Sequence, residues 1–113
     1  MSERSPAIGT LTDRVQLQRR EMTREDEGGH ATLFVPVATI WSRVRALSGR
    51  SDVSADGAGV VVSRAVVTRF RTDVKPGDRF VYRGRHLNVL SADDLNGRRA
   101  YLSCRCTETA VTG

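Results

Sequence analysis

The sequence predicts an all-β protein: a small antiparallel β-barrel or sandwich of about six strands, with one long glycine-rich inter-strand loop. Three observations predict it. Several runs alternate apolar and polar residues with period two, turn residues recur between them at short intervals, and no stretch carries the apolar spacing of an amphipathic helix. A chain of 113 residues has room for one domain with a modest core.

The elements follow in order. Residues 1–11 are polar, contain Pro6 and Gly9, and read as a flexible N-terminal arm. From Asp13 to Arg20 the chain alternates, with Val15 and Leu17 facing one way and Gln16 and Gln18 the other. The acidic, glycine-bearing turn Arg24–Gly29 leads to a second run, Thr32 to Leu47. Within it Ile40, Val44 and Ala46 share one face, and Trp41, Arg43 and Arg45 share the opposite one. Pro36 has no N–H to give a ladder, so this run is expected to begin as an edge or bulged segment. Residues 48–59 are small, polar and glycine-rich, which predicts a long mobile loop.

From Val60 to Arg71 the β-branched density is high, and Val66, Thr68 and Phe70 fall on one face. Lys75-Pro76-Gly77-Asp78 presents Pro and Gly in the order of a type II turn. Arg79–Arg83 and Arg85–Leu90 pair about a tight reversal at Gly84, where His86 is expected at the surface. Asp93–Gly97 is a further turn with an Asn-Gly signal. The last strand, Arg98 to Cys106, is expected to turn Ala100, Leu102 and Cys104 inward, with a frayed tail over 107–113. The domain proper is thus residues 12–106.

Composition narrows the function classes. Hydrophobic residues at 39% and charged residues at 27% exclude a mainly disordered chain. No apolar run approaches the roughly 20 residues that a helix needs to cross a bilayer, and Met1–Thr10 lacks the apolar stretch of a signal peptide, so no membrane is expected and the chain starts in the cytosol. The net charge of +5 arises from 17 arginines and Lys75 against 13 acids. Such a balance favours phosphate or acidic protein surfaces. It keeps a second reading in view, a small basic β-barrel that binds nucleic acid, with Arg64, Arg69, Arg71, Arg79, Arg83 and Arg85 as candidate partner-facing or DNA-facing residues.

No catalytic residues, cofactor or metal site are expected. The acids cluster in turns, and neither His30 nor His86 sits where it identifies a general base. Gly57-Ala58-Gly59 lacks the further glycine and the Lys-Ser/Thr of a phosphate cradle. Cys104 and Cys106, two apart on one strand face, are poorly placed to bridge each other and make half a metal site at best; two small buried thiols is the reading.

Three stretches taken in order resemble the head-tail joining (head-closure, or stopper) proteins of tailed bacteriophages and their gene transfer agent equivalents. They are Leu11-Thr-Asp-Arg-Val-Gln-Leu-Gln-Arg19, the Trp-bearing run from Val37 that ends in Leu47-Ser-Gly-Arg50, and Asp73-Val-Lys-Pro-Gly-Asp-Arg-Phe-Val-Tyr-Arg-Gly-Arg-His-Leu-Asn-Val89. Residues 51–63 depart from the family, which carries an Ala/Gln/Glu-rich, helix-friendly segment there. The resemblance implies a structural neck protein rather than an enzyme. It implies a homo-oligomeric ring of six or twelve copies between the portal and adaptor above and the tail terminator or tail tube below, assembled in the bacterial cytoplasm. It also implies a tail-docking surface and an inter-strand loop that closes the channel on packaged double-stranded DNA. On that reading the channel loop comprises Ser48, Gly49, Arg50, Ser51, Asp52, Asp56, Gly57 and Gly59, with Arg50 and Asp52 as its polar contacts.

Overall fold

Val15 and Leu17, both buried, set the inner face of the first strand, and every later strand except the second adds fully buried apolar side chains to the same core. The computed structural model describes residues 11–26, 28–53 and 60–109. Six strands are formed: β1 (Asp13–Arg24), β2 (His30–Val53), β3 (Val60–Arg69), β4 (Arg79–Tyr82), β5 (Arg85–Asp94) and β6 (Tyr101–Thr109). All neighbours are antiparallel, in the order β1-β2-β3-β6-β5-β4, and β4 returns to β1 to close a barrel. The expected all-β barrel is therefore the architecture found.

The core gathers Leu17, Val66, Phe80, Leu87, Val89, Leu102, Cys104 and Cys106, with Val74 from the segment before β4. Ile40 and Val44 of β2 pack only against its margin. Inward Val66 and Thr68 are buried and Phe70 packs against the core, as the alternation predicts, whereas Ala100 precedes β6 and is exposed. His86 lies at the surface.

The turns follow their chemistry. Gly77 has φ +97, and Asp78 N donates to Lys75 O at 3.0 Å, the closing bond of the predicted reversal. Arg83 and Gly84 both have positive φ, as the two central residues of a two-residue type I′ hairpin must. Asn96-Gly97 also takes positive φ, but within a longer link: a 3-10 turn over Leu95–Gly97, then Arg98–Ala100, with Asp94 Oδ1 accepting from Arg99 N at 2.8 Å.

Strand ends run past the expected limits. β1 and β2 continue as a two-stranded ribbon to Arg24 and His30, beyond the three residue pairs that join β1 to β4. β6 extends through Thr107 and Glu108 to Thr109, residues expected in a frayed tail, and Leu11, assigned to the arm, is buried. The largest correction concerns residues 48–59. β2 runs to Val53, and Ser51, Asp52 and Val53 pair with Val62, Val61 and Val60. Leu47, Ser48, Gly49 and Arg50 form a wide register shift opposite Ser63 alone. The segment is half strand because pairing uses backbone N–H and C=O groups that small residues supply as well as large ones. Asp56, Gly57 and Gly59 lie outside the described residues.

Pro36 does disturb the ladder. Leu17 pairs with Ala38 and Gln18 with Pro36, leaving Val37 as a bulge. A second bulge puts the exposed Leu90 between Val89 and Ser91.

The β4–β1 seam is the shortest, and Asp78 fastens it. This buried carboxylate accepts from Arg20 N on β1 through Oδ1 and from Lys75 N through Oδ2, each at 3.0 Å. Its backbone carbonyl accepts from Val89 N on β5 at 2.8 Å. Replacing Asp78 with Ala removes two charge-assisted bonds and leaves both amides without an acceptor; a loss of roughly 2–3 kcal/mol is expected in denaturant unfolding. By contrast Ser42, fully buried at the β1–β2–β3 junction, has a hydroxyl with no partner among the described residues. Ser42→Ala is therefore expected to hold or raise the midpoint, within about 1 kcal/mol.

Candidate interaction surfaces

The six arginines singled out by sequence do not form a stripe. Arg64 lies on the inward side of β3 at the barrel's end. There it meets Glu108 at 3.2 Å, and Arg85 reaches the same carboxylate at 3.7 Å. Arg71 is paired with Asp73 through two bonds of 2.8 and 2.9 Å, which hold the Asp73 carboxyl below its ordinary pKa. Arg79 stacks 3.8 Å over the Phe34 ring and donates to Gln18 Oε1 at 2.6 Å, closing the seam from outside. Arg83 sits over Tyr82, and Arg69 is exposed beside Phe70. Three of the six are thus taken up by ion pairs and one by the seam.

A different basic face emerges from the register. Cross-strand partners share a face, so Arg14↔Trp41, Arg43↔Val67↔Ser103 and Arg45↔Ala65↔Arg105 place four arginines and a tryptophan on the outside of β1, β2, β3 and β6. Ala65 and Val67, at the centre of this face, are almost fully buried although they point away from the core. Long flanking arginine stems cover such small residues. Among the described residues no carboxylate pairs with Arg14, Arg43, Arg69 or Arg105. The alternation Trp41-x-Arg43-x-Arg45 carries part of this face in sequence. The contributions of Arg14 and Arg105 come only with the pairing.

At one edge of the basic face, where β2 leaves β1 and takes β3 as its partner, an open groove of about 720 Å³ forms. Leu11, Ile40, Trp41 and Phe70 give it an apolar floor. Trp41 is 57% exposed, with the Arg14 guanidinium 5.5 Å from its ring; Arg99 lies 5.3 Å from Phe70, and Arg69 and Arg71 complete the rim. An apolar floor ringed by cations suits an acidic group attached to an apolar anchor.

Among the described residues no three His, Cys, Asp or Glu side chains converge as metal ligands. Cys104 and Cys106 are free and fully buried, as the sequence suggested. Burial pushes the Cys106 thiol up to about 12; Cys104 is raised further, by burial first and then by Cys106 and Asp93 nearby.

Against this geometry, the family model of the phage head completion protein matches residues 6–109. The chain belongs to this family. The head completion protein is a structural part of the particle, not an enzyme family. The fold is also that of a chain in a solved structure described as the virion of a native gene transfer agent particle, with a TM-score of 0.74, 22% identity, and coverage of 88% of this chain and 94% of that one. The solution structure of protein SF1141 from Shigella flexneri 2a is similar too, with a TM-score of 0.65, 25% identity, and coverage of 93% and 98%. No curated protein matches the chain.

This head completion protein should keep its thiols inert while folded. At pH 8.5, where neither thiol ionises in the native barrel, a thiol-specific reagent is expected to label Cys104 and Cys106 only after denaturant is added; mass spectrometry of the labelled chain checks this.

Proposed function

We propose that the protein forms a ring in the neck of a tailed phage or phage-like particle, between the portal and its adaptor on one side and the tail on the other. There it closes the DNA channel and offers the tail its docking surface. The observation that carries this reading is the head completion match over nearly the whole chain. The likeness to a chain of a gene transfer agent virion supports a place in such a particle. A closed barrel suits the task, because closure leaves the core indifferent to what docks outside.

The β2–β3 ribbon is the part that reaches the channel on this reading. Its backbone is paired as far as Val53↔Val60, so it is a stiff arm rather than a slack loop. Arg50 and Asp52 stand along it, and its small, polar composition lets copies approach one another closely around an axis.

Replacing residues 54–59 with Asn-Gly, a turn that fits a two-residue reversal, shortens this arm without disturbing Val53↔Val60. Particles carrying the shortened chain are expected to assemble and then lose packaged DNA, read as nuclease-sensitive genomes. Full retention in normally assembled particles rejects the closure role. The second reading, nucleic-acid binding, draws on the outer arginines. It predicts tight, steeply salt-dependent binding of DNA by the isolated chain that Arg43→Glu with Arg105→Glu abolishes.

A further inference from the structure

Five large apolar side chains are strongly exposed among the described residues: Met22, Leu33, Val37, Trp41 and Leu90. Trp41 lies in the groove at the β2 partner switch. Met22 and Leu33 lie on the β1–β2 ribbon, one on each of its faces, near its tip. That tip carries Glu25 and Asp26, both exposed, in a turn held by Glu25 N donating to Gly29 O at 2.8 Å. Glu27 follows in sequence, so three consecutive acids stand against Arg24.

One end of β2 thus presents acids with flanking apolar side chains, and its middle presents an apolar floor rimmed by arginines. From His30, at the tip end of β2, to Trp41 is eleven residues, up to about 37 Å at the rise of an extended chain. Of the twelve β1–β2 residue pairs, the six from Arg19↔Val35 to Arg24↔His30 form the ribbon beyond β4, so its tip lies past the end of β1 while its own groove lies at the start of β1.

We propose, resting on the ring reading above, that the acidic β1–β2 tip of one copy seats in the arginine-rimmed groove of the next copy. Glu25 and Asp26 meet Arg69 and the guanidiniums of Arg14 and Arg99, while Met22 or Leu33 covers the exposed face of Trp41 and the Phe70 ring. The patches differ and lie apart, so the contact is heterologous: each copy offers a tip and accepts one, which generates a closed ring when the rotation per copy divides a full turn. Charge sets the register, and the apolar anchor supplies the buried area. Duplex DNA brings no apolar anchor to such a floor, which is why a second copy is the better occupant.

The test uses full-length chain in assembled particles. Asp26→Cys and Arg69→Cys both alter exposed positions outside the core, and the native thiols are buried. Mild oxidation of particles carrying both changes is expected to give, on a non-reducing gel, a ladder at integral multiples of the chain mass; neither single variant gives one. No ladder from particles that hold several copies overturns the contact while leaving the ring standing. Particles that hold a single copy overturn the ring and the contact together. A cross-link to a protein of another mass assigns the groove to a different partner and also overturns the proposal. A charge swap supplies a second readout. Glu25→Arg with Asp26→Arg is expected to lower incorporation into particles at least tenfold, and adding Arg14→Glu with Arg69→Glu is expected to restore it; wild-type incorporation of the acid-reversed chain rejects the contact.

Discussion

Barrel closure at the β4–β1 seam is the constraint on which the other features depend. Only Gln16, Leu17 and Gln18 pair with β4, so this junction has the fewest rungs in the sheet. A six-stranded sheet that fails to close there exposes Leu17 and Phe80, both fully buried, along one edge. The chain reinforces the seam on both sides. Inside, Phe80 packs against Leu17, with which it is paired. At the end of the ladder the Asp78 carboxylate takes over from the missing strand and accepts the β1 amide of Arg20. Outside, Arg79 spans from Gln18 to the Phe34 ring, linking β4, β1 and β2. Gly77 makes this possible, since its positive φ turns the chain so that Asp78 faces β1 while its backbone pairs with Val89.

A second constraint comes from β2. Its 24 residues would span about 76 Å if straight, yet the longest dimension of the molecule is 49 Å. The strand must therefore bend, and the irregularities lie where bending is needed: the Val37 bulge beside Pro36, and the Leu47–Arg50 offset before the ribbon with β3. Between them β2 exchanges β1 for β3 at Ser42, the residue paired with both Asp13 and Thr68. A strand that changes partners leaves a fork in the sheet. The fork here is the groove with the Trp41 floor, and the small Ser42 side chain fits the crowded crossing even with its hydroxyl unpaired.

How much of this the sequence carried depends on what each feature needs. The alternation at 13–18 was legible because β1 has one buried face and one more open face there, and 64–70 was legible through its β-branched density, although Ala65 and Val67 are covered on the outer face as well. Lys75–Asp78 and Arg83-Gly84 were legible because their backbone angles demand particular residues. The ends of the ribbons were not. Residues 21–24 and 30–31 are mostly exposed, and Ser51-Asp52-Val53 offers a single apolar residue, so they pair without leaving a periodic signature. Within the small, polar stretch from Ser48 that reads as a loop by composition, Ser51–Val53 are strand by pairing. The basic face was missed for a related reason. Arginines grouped by nearness in sequence, such as 79, 83 and 85, spread over the seam, the hairpin and the barrel's end, while Arg14, Arg43 and Arg105 meet only through the register of four strands.

These two constraints divide the molecule between stability and assembly. Closure removes the strand edges that would otherwise recruit other chains without discrimination. The same sheet then extends beyond β4 in the β1–β2 ribbon, which carries acids and exposed apolar groups, and in the β2–β3 ribbon, where Ser51, Asp52 and Val53 pair with three valines. Substitutions there alter what the protein grips without loosening Leu17, Phe80 or Cys104. On the proposed neck placement, a part held between unlike neighbours benefits from that separation, because contacts can be tuned at the ribbons while the barrel keeps them at fixed spacing. The long strand β2 is common to both ribbons and meets β1 and β3 together at Ser42, so the two extensions are joined through paired backbone rather than through a loop.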